Sequence, residues 1–329
     1  MYPMITPKTT ELGGEFADSD VILIKDHMPL EGDPSTNSII DLFNQAGIDY
    51  RSKFFVSGDY MYFEDFKGQI IYVNSFLINE AQHFLEALPN WTTIPDYEVT
   101  HKLSTMMNKA RINREILSVI LGNLFNTQDI RHTCAERPGE FVSEHFLDTK
   151  YEFDTNLTLP LRWVGPTGQY RHGDPNYGNN IPLFRDTLFD QLFKHSAVSL
   201  ITEPVYYEKG FMMTEKSIMP VYAGHFMIWV GGWRSADSAK DLGYDVFDDI
   251  IDHSYQYIEN PTERCVEAVL LNMELLNDVR LQQELRKKMV DRLNQNLTLV
   301  RDIDQIKKNI ATEINDPLLY DRYQGVGNF

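Results

Sequence analysis

The chain has 329 residues, enough for two domains of about 100–200 residues each, and its 43% apolar and 12% aromatic content can fill ordinary cores, which excludes wholesale disorder. A formal charge of −18, from 30 Lys+Arg against 48 Asp+Glu, disfavours a protein that coats nucleic acid by neutralising its phosphates. No apolar run approaches the roughly 20 residues of a membrane span, the first residues lack a signal-peptide layout, and Cys134 and Cys265 form neither a disulfide framework nor a metal-type cluster, so a reducing cytoplasm is the expected compartment.

In chain order, Val21–Ile24 reads as the first strand and ends at Lys25-Asp26-His27. Pro34-Ser35 opens a helix with Ile39-Ile40 and Leu42-Phe43 on its apolar face, closed by Gly47. Phe54-Phe55-Val56 and Ile70-Ile71-Tyr72-Val73 read as strands, residues 81–88 as a short helix, and Pro89 to Asp96 as a linker. This alternation indicates an α/β layer with a parallel sheet.

A second alternation starts near residue 100, with a strand over Leu103–Met107 and a helix over 114–125. Residues 131–182 are rich in Gly, Pro, Asn and Tyr and read as an irregular insertion, with His172 and Asp174 in its most loop-like part. A helix over 183–193, the strand Val198–Ile201, a loop, a helix over 216–223 and a strand over 226–230 follow, closing on Gly231-Gly232. Asn260 then caps a helix with Pro261 at its first position and Glu263 at its third, and apolar residues keep helical spacing from Val266 through Leu293. The pattern predicts two α/β halves and a long C-terminal helix, with a ligand cleft between the halves.

Charge is unevenly placed. Residues 1–98 hold 5 basic and 16 acidic side chains, whereas residues 99–150 hold 7 and 6, with Lys102, Lys109, Arg111 and Arg114 close together. Local positive charge in an acidic protein suggests a discrete anion site; a solvated helix face is the alternative.

The chemistry concentrates between residues 199 and 231. Glu203 follows a buried strand, at the end where open parallel sheets bind ligands. Thr214-Glu215-Lys216 stands where a loop enters a helix, and free N–H groups with the helix dipole favour a phosphate there. Lysine adds a mobile cation, and glutamate can accept both hydroxyls of a ribose. Taken alone, Glu215 and Lys216 read as an ordinary solvated pair beside a helix start, and the wider pattern is what favours a ligand site.

The wider run resembles the donor-binding core of two-domain GT-B glycosyltransferases of the α1,3-fucosyltransferase type, and more closely the fucosyltransferase-like proteins of phages and large viruses. The resemblance rests on a strand ending at Glu203, the Thr214-Glu215-Lys216 segment, Gly224 and the apolar strand closing in Gly231. It extends through Leu242-Gly243-Tyr244-Asp245-Val246-Phe247, Ile251-Asp252-His253-Ser254-Tyr255, Asn260-Pro261 and Arg264, and back to Asn108-Lys109-Ala110-Arg111-Ile112-Asn113-Arg114. It covers roughly residues 100–280. It implies two Rossmann-like domains facing a cleft: an acceptor side over 1–98, a nucleotide-sugar domain over 99–285 and a helical extension over 286–329. Glu215 would contact the ribose, Lys216 the diphosphate with Thr214 beside it, Arg111 or Arg114 would clamp the phosphates, and Glu203 would shape the pocket. Pro204-Val205-Tyr206-Tyr207 departs from the small polar pair usual after the glutamate, which puts fucose in doubt.

The implied activity is sugar transfer from a nucleoside diphosphate-sugar, GDP- or UDP-linked, to a hydroxyl on a glycan or on a hydroxylated DNA base, with no bound cofactor, no metal requirement, no membrane and no obligate protein partner. A non-catalytic binding or assembly module of the same fold is the rival. Asp26 and His27 are the candidates for the catalytic base, with Glu31 nearby; a solvated loop is the other reading. Asp245, Asp248, Asp249 and Asp252 read as a solvated acidic face rather than a metal site.

Overall fold

The computed structural model describes residues 4–5, 10–19, 21–24, 39–57, 60–61, 69–72, 75–107, 111–134, 142–162, 184–203, 210–211, 213–306 and 308. It contains two separate parallel sheets of four strands, the two α/β layers expected. The first orders β1 (Met4–Ile5), β2 (Val21–Ile24), β3 (Phe54–Ser57) and β5 (Gln69–Tyr72) side by side. Helices α1 (Gly14–Asp18), α2 (Ile39–Ala46) and α3 (Ser75–Ala87) accompany it. Lys53 closes α1 by donating to the carbonyls of Ala17 (2.6 Å) and Ser19 (2.8 Å), where a helix end favours a cation.

The second sheet has the order β10 (Phe226–Trp229), β8 (Val198–Ile201), β6 (Leu103–Met107), β7 (Ile130–Cys134), all parallel. Strands β6, β8 and β10 are buried along their whole length, as parallel strands covered by helices on both faces must be. Their few polar side chains bond across strands: Ser104 Oγ meets Ser199 Oγ at 2.7 Å, and Thr105 donates to the Leu200 carbonyl. Helix α4 (Ile112–Leu124) joins β6 to β7, and α6 (Glu215–Ala223) joins β8 to β10 in the opposite direction. Right-handed crossovers in opposite directions put α4 and α6 on opposite faces. The winding direction therefore reverses between β6 and β8.

Strand β7 corrects the sequence reading, which placed Ile130–Cys134 at and within an irregular insertion. Its Arg131, His132 and Thr133 give no apolar alternation; it is a strand because every residue from Ile130 to Cys134 is in register with β6. A helix, α5 (Phe184–Phe193), stands where one was expected and is wound as a π-helix. A short antiparallel pair, β4 (Tyr60–Met61) with β9 (Gly210–Phe211), ties the first half to the loop that precedes α6.

The C-terminal helical run is a succession of helices: α8 (Pro261–Leu270), α9 (Met273–Asn277), α10 (Val279–Lys288) and α11 (Val290–Arg301). Asn272 interrupts it by donating to the carbonyls of Asp252 and Ala268, and Asp278 restarts it by accepting from the Leu281 amide. These helices hold the linker. Ile94 N donates to Asn294 (2.9 Å), Val99 N to Gln283 (2.7 Å), and Arg301 to the carbonyls of Leu88 and Pro89. The guanidinium of Arg286 stacks 3.9 Å from the ring centre of Tyr97, whose hydroxyl donates to the Ser196 and Ala223 carbonyls. Helix α3 packs on α6, with Phe84 and Tyr222 rings 5.2 Å apart.

The acidic stretch 245–252 is a solvated face, with Asp248, Asp249 and Asp252 exposed, and ion pairs tie it to its neighbours. Arg292 of α11 bridges Asp245 and Asp249 with paired bonds of 2.5–2.9 Å, and Asp248 pairs with Lys240. Short α7 (Ser235–Asp241) follows β10.

Candidate functional site

Ligands of open parallel sheets bind outside the carboxyl ends of the strands, where the winding reverses. In this chain that point lies beyond Met107 of β6 and Ile201 of β8, flanked by the first turns of α4 and α6. Sequence-predicted residues from both sides meet there.

Glu203 is the pivot. Its side chain is buried, and its carboxylate accepts from the Thr214 amide (2.8 Å), the Thr214 hydroxyl (2.6 Å) and the Ser217 hydroxyl (2.7 Å). It therefore moors the start of α6 to the end of β8. Burial is the strongest influence on its carboxyl and raises its pKa above the usual range; Lys216 pulls it down, Glu215 pushes it up, and the Ser217 and Thr214 bonds pull it down. Ser217 in turn accepts from the indole N–H of Trp229 at 3.3 Å, so the mooring reaches into β10.

Thr214 is the N-cap of α6, its hydroxyl accepting from the Lys216 amide at 3.3 Å. Glu215 and Lys216 occupy the first turn, mostly buried, with Lys216 Nζ 2.5 Å from Glu215 Oε1. For Glu215 burial opposes ionisation, but the charge and hydrogen bond of Lys216 outweigh it and hold the carboxyl below its usual range. A compact cation, a carboxylate and a capped helix N-terminus thus share one turn.

The facing segment distinguishes two arginines that the sequence left interchangeable. Arg111 is the N-cap residue of α4 and is exposed. Arg114, one turn on, is buried, and its Nε and Nη2 donate to the Thr202 carbonyl at 3.3 and 3.1 Å. Asn113, also buried, donates to the Glu203 carbonyl at 2.7 Å and leaves its Oδ1 without a partner. Asn113 and Ser217 were missed from sequence. Asn113 sits inside the singled-out Arg-x-x-Arg spacing, and Ser217 at the third position of α6, so their positions were readable although their partners were not.

Asp26, His27, Glu31, His172 and Asp174 lie outside the described residues. Among the described residues there is no group of three or more His, Cys, Asp or Glu placed to hold a metal ion, and no helix long and apolar enough to cross a membrane. Both cysteines are buried and neither is in a disulfide, and burial pushes the Cys265 thiol up to about 12.

The fold and the crevice define a doubly wound α/β protein with an anion-compatible helix end at its switch point. No family model and no curated protein matches the chain. Among solved structures it is similar to a DNA-modifying enzyme, β-glucosyltransferase, studied with and without uridine diphosphoglucose: 12% identity, 90% of this chain and 83% of that one, TM-score 0.38.

Proposed function

We propose that the chain is a glycosyltransferase that binds a nucleoside diphosphate-sugar at the β6/β8 switch point and transfers the sugar to an acceptor hydroxyl. The observation that carries this reading is the start of α6: a capped helix N-terminus bearing Glu215 and Lys216, moored by the buried Glu203 at the place where doubly wound sheets take ligands. Adjacent cation and carboxylate match the adjacent diphosphate and ribose of such a donor.

In this mechanism the acceptor oxygen bonds to the anomeric carbon as the bond from that carbon to the diphosphate oxygen breaks. The diphosphate leaves with the electron pair. Lys216, the first N–H groups of α6 and exposed Arg111 stabilise its charge. The acceptor proton passes to a base on the first half of the chain, for which Asp26 and His27 are the candidates. Arg114 is assigned a positioning role: it holds the Thr202 carbonyl and with it the approach to Glu203. The acceptor is a glycan or a hydroxylated DNA base.

A thermal-shift screen against GDP, UDP, dTDP, CDP and their sugars tests the donor site. Ligand at 100 times its Kd stabilises by about 2.7 kcal/mol. Lys216→Ala is expected to weaken that binding by about 10-fold or more, the worth of one hydrogen bond to a charged group, while retaining the fold. No shift with any of the four nucleotide classes overturns the proposal. Binding with no sugar transferred to either acceptor class establishes the binding-module rival in its place.

A further inference from the structure

A second concentration of positive charge lies away from the crevice, along the outer edge of the second sheet. Among the described residues, β7 pairs with β6 on one side and, on the other, makes only the single antiparallel bridge between Cys134 and Arg162. Both bridge bonds are 2.8 Å, and His132 Nε2 lies 3.1 Å from the Pro160 carbonyl, which lays residues 160–162 along the edge. Arg131 stands near the amino end of β7, and His101 and Lys102 immediately precede β6. His195, just before β8, completes the group, its ring centre 6.5 Å from that of His101.

Three features of this strip point to an anionic ligand. Arg131 and Arg162 face each other's field without a carboxylate within 4 Å among the described residues, and Arg131 Nε is buried with no hydrogen-bond partner. Asp129, the acid that acts on His101, pairs with Lys102 at 3.4 Å. His195 is held at φ +84°, in the left-handed region, while its carbonyl accepts from the amides of both Thr100 and His101 at 2.8 Å. That strained backbone brings the second imidazole beside the first. The groups facing His101 are Arg131 from β7, Arg162 from the bridging segment, His195 and Asp129; burial first, then the two arginines and His195, lower its pKa, against Asp129. A charge guard on an edge strand is the plain alternative, but a guard needs one exposed charge, not two half-buried guanidiniums in mutual repulsion.

We propose that this strip binds the phosphodiester backbone of a nucleic acid. Guanidinium forks pair with phosphate oxygens, and the strip is extended: Arg131 and Cys134 are three residues apart on the strand, about 10 Å. That length meets several phosphates of a duplex, which carries a charge about every 1.7 Å of axis. The rest of the acidic chain repels a polyanion, so contact is confined to this edge and is strongly weakened by salt. The strip follows the outer edge of β7, whereas the donor site lies between β6 and β8, so the two are separate in place.

The test is fluorescence anisotropy of a labelled duplex with the full chain at low and rising salt. The logarithm of affinity is expected to fall with the logarithm of salt with a slope of about −2 near pH 8, from two guanidiniums, steepening by about one as His101 protonates at lower pH. Arg162→Gln and Arg131→Gln should each reduce the slope by about one, and Lys216→Ala should leave it unchanged. Because Arg131→Gln can disturb β7, the wild-type chain supplies a second readout: the NMR titration of His101, whose pKa should rise on adding duplex. Failure to retain duplex overturns the proposal. So does retention that survives both arginine changes, or a His101 response to inorganic pyrophosphate without duplex binding, which marks a small-anion site. None of these outcomes touches the nucleotide thermal shifts, so the two readings fail separately.

Discussion

Replacing Glu203 tests the mooring of α6 most directly. Glu203→Ala strips the Thr214 amide of its acceptor, at about 1–3 kcal/mol for a buried unpaired donor, and removes one buried methylene worth about 0.8 kcal/mol. The hydroxyls of Thr214 and Ser217 can rotate to other partners, and losing a buried carboxylate returns part of its desolvation cost. The balance is a loss of about 1–3 kcal/mol, or about 2–12 °C in Tm at the 2–4 °C per kcal/mol usual for units of 150–250 residues. Glu203→Gln keeps shape and one acceptor oxygen, and changes the pH dependence instead. The Glu203 carboxyl has a raised folded-state pKa, so the fold holds its proton more tightly than the unfolded chain does. Its contribution to stability is full below the unfolded pKa of about 4.3 and is lost as pH rises through the folded value. Wild type should therefore compare better with Glu203→Gln at about pH 4 than at about pH 8 in scanning calorimetry. Equal Tm differences at both pH values, or Glu203→Ala melting like wild type, would refute a buried carboxylate anchoring α6.

His225 behaves with the opposite sign. Burial first, then Arg286, pushes its pKa down to about 3, with Nε2 3.1 Å from the Phe193 carbonyl and Nδ1 2.7 Å from Ser199 Oγ. Its contribution is full above the unfolded pKa of about 6.5 and is lost as pH falls toward the folded value. His225→Phe should flatten the acid limb of the stability curve measured by urea unfolding; an unchanged limb would place the sensitivity elsewhere. Gly224 ends α6 at φ +71°, and a β-carbon there would meet Ile94 at 2.9 Å. Gly224→Ala should cost about 1–2 kcal/mol for the left-handed backbone alone, and more for displacing Ile94, read as a lower urea midpoint at unchanged slope; a stability equal to wild type would show that the turn relaxes.

Periodicity and punctuation were enough for much of this chain. The strands Val21–Ile24, Leu103–Met107 and Val198–Ile201 are short apolar or near-apolar runs between breakers, and the cap Asn260 is local chemistry, so these elements were legible. Glu203 and Thr214-Glu215-Lys216 were legible as a set because the elements around them are. Strand β7 was not: Arg131 and His132 carry no alternation, and only pairing with β6, 27 residues earlier in the register, makes them a strand. Nor were the breaks between α8, α9 and α10, where Asn272 reaches the distant Asp252 carbonyl. The two arginines show the division most sharply. Arg111 and Arg114 have the same chemistry in sequence, but one turn of α4 separates an exposed N-cap from a side chain locked on Thr202. What the sequence determined alone is where strands, caps and candidate ligands stand along the chain, because those depend on neighbours a few residues away. The sheet order decided the rest: it put the reversal between β6 and β8, and so chose which helix ends face each other and which charges are left on the edge.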